Sequence, residues 1–257
     1  MEPDGMMREH EIYSNLRAPP SSSIVLRLDG RGFHRLTARA GFRRPYDDVF
    51  RDLMVSACLE IMNEFSPSLV YTFSDEINVL LDSVPFSGRV EKLDSVFPAF
   101  ASSSFTLAAV SRGLSLDKPV SFDCRVIPLG RELVWEYFRS RQDEAWRNCL
   151  NSYAYWTLRD EMDRDDAART LNGMKSDALH ELLFERGLNI SEVPAWQRRG
   201  IGVYRAPVKV RGYNPITEKE VSAVRMRVKV NMDLPIFTEE FFEGLQGFRE
   251  HNGSESA

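Results

Sequence analysis

Residues 69–81 read Leu-Val-Tyr-Thr-Phe-Ser-Asp-Glu-Ile-Asn-Val-Leu-Leu. Two short runs rich in β-branched and aromatic residues, Leu69–Phe73 and Ile77–Leu81, flank the polar triplet Ser74-Asp75-Glu76, which predicts a tight β-hairpin. Upstream, Ser23–Leu28 (Ser-Ile-Val-Leu-Arg-Leu) predicts a buried strand that stops at Asp29-Gly30-Arg31-Gly32. Between them Val49, Phe50, Leu53, Met54, Ala57, Cys58, Ile61, Met62 and Phe65 keep helical spacing, with Asp47 after Pro45 placed to cap the helix. Beyond the hairpin, Glu91–Ser111 predicts a second helix closed by Gly113, and Val120–Val126 a fourth strand. In order, residues 23–126 read β-α-β-β-α-β.

That order is the split β-α-β pattern of a ferredoxin-like α+β fold. It makes strands one and three antiparallel neighbours, so the end of the first lies beside the hairpin turn. Asp29 ends the first strand, and Asp75 and Glu76 occupy the turn. Acids more than forty positions apart are thereby expected within a few ångströms of each other. Clustered carboxylates repel and call for a counter-cation. Mg²⁺ is suited to the task, since it takes one or two carboxylates and completes its shell with water and substrate phosphates. Two such ions form the clamp for in-line phosphoryl displacement. Asp29 or Asp75 alone is better explained as an ordinary strand-end or turn residue; the pair, with the sheet geometry, points to a cation.

Directly after Asp29 comes Gly30-Arg31-Gly32-Phe33-His34. Two glycines let backbone approach a phosphate closely, and successive N–H groups there could form an anion nest. Arg27, Arg125, Lys175 and Arg198-Arg199-Gly200 are candidate partners for triphosphate or nucleic acid, or plain surface charges. The four histidines, His10, His34, His180 and His251, have no metal-ligand spacing.

Outside the core pattern, Met7–Leu16 suggests a short helix ended by the Ala-Pro-Pro-Ser run at 18–21. After Pro128 the reading is mostly helical: Arg131–Gln142, Glu144–Glu161, and Ser176–Arg186 ending at Gly187. Ile201–Arg211 and Glu220–Val230 then alternate as strands across a Tyr213-Asn214-Pro215 turn. Along the second, Val224, Met226, Val228 and Val230 face one way and Arg225, Arg227 and Lys229 the other. A half-buried strand requires that alternation anyway, so this basic face stays open between solvent and nucleic acid. Phe237–Phe248 is an amphipathic segment expected to pack back on the body, and the tail Asn252–Ala257 is expected to be disordered. No Gly/Ser-rich linker divides the chain.

The 257 residues suffice for one large domain or two small ones, and 43% hydrophobic with 28% charged residues excludes a wholly disordered or fibrous chain. The net charge of −5 does not exclude a phosphate-binding patch, and of 33 basic residues only six are Lys. Three widely spaced cysteines, Cys58, Cys124 and Cys149, exclude a disulfide framework and suit a reducing cytoplasm. No apolar run reaches the length of a membrane helix, and residues 1–10 are too polar for a signal peptide. A cytoplasmic protein without a membrane partner is expected.

The stretches Arg27-Leu28-Asp29-Gly30-Arg31-Gly32-Phe33-His34 and Thr72-Phe73-Ser74-Asp75-Glu76 resemble the two signature motifs of the tRNA-histidine guanylyltransferase family. Phe122–Val126, Tyr137–Gln142, Asn148–Leu158, Lys175, Leu183-Phe184, Asn189 and Arg199-Gly200 continue the match in order. The resemblance implies a metal-dependent 3′-to-5′ nucleotidyltransferase on a core similar to the polymerase palm, with residues 1–130 as catalytic subdomain and 131–257 as a helical and hairpin subdomain packed on it. It implies Asp29, Asp75 and Glu76 as catalytic acids, with Asp29, Asp75 and the Gly30 carbonyl holding two Mg²⁺ ions. Asp29, Gly30, Arg31, Gly32, Phe33, His34, Ser74 and Asp75 would line the nucleotide, while Arg27, Arg125, Lys175, Asn189 and Arg199 would contact triphosphate or tRNA. ATP would activate the 5′ phosphate of a tRNA, and the 3′-hydroxyl of GTP would then attack it. Family members are commonly dimers or tetramers. The Asn-rich motif of the eukaryotic branch is reduced here to Trp146-Arg147-Asn148-Cys149-Leu150-Asn151-Ser152, similar to the archaeal and bacterial-like branch that repairs 5′-truncated tRNAs. Two rivals share some of these features. A palm-fold nucleotide cyclase would leave the helical half unexplained, and a non-catalytic tRNA-binding module would leave the paired acids unexplained.

Overall fold

Ser23–Gly30 forms the first strand (β1), and its residues alternate strictly between two different environments. Ile24, Leu26 and Leu28 point into one apolar core, while Val25 enters a second and Arg27 and Asp29 follow it on that face. The computed structural model describes residue 7, residues 9–214 and residues 219–245. After β1 come α1 (Phe33–Arg39), α2 (Asp48–Phe65), β2 (Leu69–Phe73), β3 (Glu76–Leu81), α3 (Val90–Ser111) and β4 (Phe122–Leu129). The second half supplies α4 (Val134–Arg159), α5 (Arg164–Leu171), α6 (Ser176–Glu185), α7 (Ala195–Arg199), β5 (Ile201–Asn214) and β6 (Lys219–Asn231). All six strands make one sheet in the order β4-β1-β3-β2-β5-β6, antiparallel at every junction. Its first four strands have the ferredoxin-like order that the β-α-β-β-α-β pattern requires.

One face of the sheet packs on α2 and α3 through Leu53, Met54, Ile61, Phe97 and Phe105, all buried. The other face packs on α4 and the C-terminal segment through Tyr71, Phe73, Leu80, Phe138, Leu234, Phe237 and Phe242. A third cluster joins the far half of α4 to α5 and α6 through Cys149, Leu150, Ala154, Leu158, Leu179 and Leu183. Asp47 caps α2 as its position suggests, accepting from the N–H groups of Val49 and Phe50. Gly113 and Gly187, beyond α3 and α6, take the left-handed conformation that ends helices. Helix α3 has the length and the mean hydropathy, 1.3, of a membrane-crossing helix. Yet its Leu93, Phe97, Ala101, Phe105 and Ala109 are spent on the sheet.

Several sequence expectations are corrected. Residues 9–16 are turns rather than a helix, because Ile12, Tyr13 and Leu16 find no surface to bury against. They are held instead by i−3 turns and by backbone pairing of Leu16 and Ala18 with Val90 and Gly88. The separate helices over 131–142 and 144–161 are one helix, α4, since Gln142 lies buried on its inner face and nothing between them breaks it. The fourth strand runs from Phe122 to Leu129, displaced toward the C-terminus, because its register on β1 sets Gly30 against Phe122 and Ser23 against Leu129. Tyr213 and Asn214 belong to β5, paired with Glu220 and Lys219, while Pro215 lies outside the described residues. Residues 239–245 are helical and bury Phe242; residues 246–257, including the expected disordered tail, lie outside the described residues.

Candidate active site

The β1–β3 ladder sets Asp29 opposite Glu76, and the β1–β4 ladder sets Asp29 opposite Asp123. Next to it, the Gly30 N–H donates to the Asp75 carbonyl at 3.0 Å, which ties the end of β1 to the hairpin turn. The turn itself is the pair Ser74-Asp75, with Ser74 at a left-handed φ of 50°. Its hydroxyl donates to Asp75 Oδ1 at 3.1 Å. Asp29, Asp75 and Glu76 therefore lie near one another at one edge, and a fourth acid, Asp123, stands opposite Asp29 on β4.

Burial raises the Asp75 carboxyl above the ordinary carboxylate value, and the Asp29 charge raises it further. Desolvation also raises Asp29, joined by the charges of Asp123 and Glu76, while Arg125 and Arg27 pull it back. Both acids are thus strained as anions in the absence of a cation. Glu76 is different. It begins β3, is 8% exposed, and gives both oxygens to Arg141 at 2.8 and 2.6 Å. Among the described residues no three His, Cys, Asp or Glu side chains converge closely enough to hold a metal by themselves.

Beside Asp75 opens a cavity of about 240 Å³. Ser74, Asp75, Phe33 and His34 line one side, and Arg43, Arg44, Tyr46 and Arg51 another. Asn148, Ser152 and Trp156, four-residue steps along one face of α4, complete the wall with Trp196. The Arg44 guanidinium stacks over Trp156 and that of Arg51 over Trp196, 5.6 and 5.1 Å from the ring centroids. Arginines and flat rings around a carboxylate edge suit a nucleotide, whose base stacks and whose phosphates take guanidinium forks.

The glycine loop does less than its sequence promises. The N–H groups of Gly30 and Arg31 are spent on Asp75 and Ser121 carbonyls, so they cannot join an anion nest. Any backbone N–H contact to phosphate from this loop falls to Gly32 onward. A Cβ on Gly30 would meet the Phe33 ring at 2.4 Å, so this glycine serves packing. Phe33 itself is buried against Phe105 and Phe122. Arg27 and Arg125 stand opposite each other on β1 and β4, one pleat from Asp29. Like charges so placed destabilise a ladder unless an anion joins them. Arg199 donates to the Leu234 carbonyl, Asn189 caps the turn at 190–192, and Lys175 lies exposed before α6; none of the three lines the cavity. Arg225, Arg227 and Lys229 are exposed together on one face of β6. Of the opposite face, Val228 and Val230 reach the core but Val224 is 63% exposed, so the outer part of the hairpin stands clear of the body. Asp123 and the arginines of the 43–51 stretch were not assigned from sequence. Register and a cavity wall, which the sequence does not display, reveal them.

The sequence model of the tRNAHis guanylyltransferase family matches residues 4–130. A probable tRNA(His) guanylyltransferase of Dictyostelium discoideum is 30% identical over 86% of this chain and 88% of the relative. The tRNA(His) guanylyltransferase of Neurospora crassa is 30% identical over 78% of this chain and 73% of its own. This chain belongs to the tRNA(His) guanylyltransferase family. It is accordingly a nucleotidyltransferase. The fold agrees: a bacterial tRNA(His) guanylyltransferase-like protein in complex with ATP superposes with a TM-score of 0.71 at 23% identity, covering 96% of this chain and 98% of that one. The Saccharomyces cerevisiae tRNA(His) guanylyltransferase superposes at 0.70 and 23% identity, covering 78% and 92%.

Proposed function

We propose that this enzyme extends the 5′ end of tRNA in the 3′-to-5′ direction, adding guanylate to tRNA-histidine or restoring 5′-truncated tRNAs. The observation that carries the reading is the meeting of Asp29 and Asp75 through β1–β3 pairing, at the mouth of a cavity walled by arginines and aromatic rings. Two carboxylates, both raised chiefly by burial and then by neighbouring acids, with the Gly30 carbonyl beside them, are a donor set that fits Mg²⁺. Bound there, two ions would supply charge neutralisation at the phosphates and activation of the attacking hydroxyl.

The chain's own groups do the positioning. Asp29 and Asp75 would hold the cations, and through them the reacting phosphates, at the sheet edge. The opposed Arg27 and Arg125 offer paired positive charge one pleat away, within reach of a triphosphate or of the tRNA 5′ phosphate. Trp156, Trp196 and their stacked arginines hold the base of ATP or GTP, the nucleotides bound by bacterial relatives of the same fold. Lys175, Asn189 and Arg199 lie outside that cavity, so any contact they make is with the larger tRNA. A tRNA exceeds what one subunit spans, and a dimer or tetramer accounts for its grip.

Of the Asn-rich motif of the eukaryotic branch this chain keeps only Asn148 and Leu150; Asn148 lines this cavity wall, beside Ser152 where the motif has Asn. Neither metals nor a stacking platform identify a base, so base pairing across the tRNA acceptor stem selects the incoming nucleotide. The test offers labelled GTP to two tRNA-histidine transcripts that differ only in a C or an A opposite the added nucleotide, at equal Mg²⁺. Efficient addition opposite C and poor addition opposite A is expected, because misplacement by ~1 Å costs about a hundredfold. Equal rates would place selection in the protein. Failure of any 5′ extension, or a cyclic product from GTP alone, would sink the reading.

A further inference from the structure

Asp75 and Glu76 are neighbours in the chain, and only Asp75 reaches the cavity. Glu76 is held from several sides. Arg141 of α4 meets it fork to fork, Nε to Oε1 at 2.8 Å and Nη2 to Oε2 at 2.6 Å, and the Asn78 amide donates to Oε1 at 2.8 Å. One helical turn before Arg141, the Tyr137 hydroxyl donates to Asn78 Oδ1 at 2.7 Å. Two residues one turn apart on a helix thus grip two alternate residues of β3 on one sheet face. The spacings match, about 6 Å of helical rise over four residues against about 6.8 Å of strand over two. The same guanidinium lies 5.5 Å from the Phe73 ring centroid. Phe73 and Glu76 are ladder partners and form the two stems of the Ser74-Asp75 turn. A single side chain therefore holds both ends of the turn that carries Asp75.

A buried ion pair is a poor device for stability alone, since apolar groups of the same volume commonly do as well. Tyr71, Phe73 and Phe138 already surround this place. What a bidentate pair supplies, and an apolar contact cannot, is direction. We infer that Arg141 is a positioning residue for Asp75: through Glu76 and Phe73 it fixes the turn so that the Asp75 carboxylate stands beside Asp29 at the cavity mouth. Glu76 thereby serves as the tether of the site, and Asp29 and Asp75 are the acids left to hold cations. This rests on the nucleotidyltransferase reading of the site, and it deepens that reading by assigning the residue that sets the geometry.

Arg141→Met alone leaves a buried unpaired carboxylate, so loss of fold and loss of position coincide. Two other variants separate them. The pair Arg141→Met with Glu76→Gln removes both charges at similar volume, and Arg141→Lys keeps the charge without the fork. Three readouts are taken on each full-length protein: thermal midpoint, kcat and KM for GTP on a tRNA lacking its first nucleotide, and affinity for Mn²⁺ followed by its free-ion electron paramagnetic resonance signal. The paired variant is expected to melt within a few degrees of the wild type and to keep its KM for GTP within about threefold. Its kcat should fall roughly thirty- to a hundredfold, the effect of an ångström of misplacement. Its Mn²⁺ affinity should fall at least about fivefold, since one of two carboxylate ligands is displaced. Arg141→Lys should show the same pattern, less severely. Wild-type kcat and Mn²⁺ affinity in the paired variant, or in Arg141→Lys, would overturn the inference. The Mn²⁺ measurement does not depend on transfer, so it still decides the role of Arg141 should the wild type extend no tRNA, an outcome that would remove the proposed substrate and leave the positioning role standing.

Discussion

The central strands present the same backbone to two different layers: one face is packed by apolar side chains, and the other adds a polar network to its own apolar cluster. On one, Ile24, Leu26 and Leu28 of β1 and Ile77, Val79 and Leu81 of β3 meet α2 and α3 in a wholly apolar core. On the other, the intervening residues Arg27, Glu76 and Asn78 meet Tyr137 and Arg141 of α4 in a polar network, with Asp29 opposite Glu76 at its edge. A single step along the chain separates a packing residue from a site residue. The dry face holds the strands in register, and that register delivers the acids of the other face to one edge. Function is thus built on a polar patch whose anionic self-repulsion is tolerated because apolar packing on both faces secures the sheet.

The largest expected effect breaks the comparison at a single pair of neighbours. Asp29→Ala and Asp75→Ala should each lower nucleotide addition on the order of a thousandfold at saturating Mg²⁺, equivalent to losing several kcal/mol of transition-state stabilisation. Their thermal midpoints should stay level or rise, because like charges are removed. Leu28→Ala, one residue away on the dry face, should do the reverse to the fold, costing about 2–5 kcal/mol in chemical denaturation. A thermally fragile Asp29→Ala or an unaffected Leu28→Ala would erase the distinction between the faces.

Beyond the core the hairpin offers a gentler version of the same contrast, with Arg225, Arg227 and Lys229 on one face of β6 and half-covered valines on the other. Neutralising all three cations should weaken tRNA binding and flatten the slope of log K against log salt by about 2–3, close to one unit per lost phosphate contact. An unchanged slope would assign this face to solvation or subunit packing.

The smallest effect is a pH dependence. Asp29 has a raised carboxyl in the folded protein, chiefly from burial, then from Asp123 and Glu76. The folded state therefore holds that proton more tightly than the unfolded chain, whose value is about 3.9. Its contribution favours the fold at acid pH and is lost as pH rises from about 4 through the raised folded value. Asp29→Asn should accordingly melt a few degrees above the wild type at pH 7 without metal, with the gap closing below about pH 4 and on adding Mg²⁺. A gap that is constant across this range would mean that charge is not its cause.

The β-α-β-β-α-β order of residues 23–126, the Asp47 cap and the convergence of Asp29 with Asp75 were all legible in the sequence, because each follows from local periodicity and one topological rule. Helix α1 was not, since its single turn or two begins at a left-handed Gly32 and lacks a side-chain cap. Nor was the joining of β5 to β2, which extends one sheet across both halves of the chain through Leu69, opposite Tyr204, and Val70, opposite Val203. The cavity wall came only from the fold, because Arg43, Arg44, Trp156 and Trp196 are brought together from three separate segments.

The chain by itself determined which residues carry charge, the alternation of strand and helix in the core, and that two acids end neighbouring strands. These depend on spacing within a few residues. The tertiary structure decided what each charge is for. Asp75 and Glu76 are indistinguishable as letters, and strand alternation alone cannot rank them. The packing of α4 placed Arg141 against Glu76 and left Asp75 at the cavity, because a buried carboxylate must find a partner and only one of the two lies within reach of that guanidinium fork.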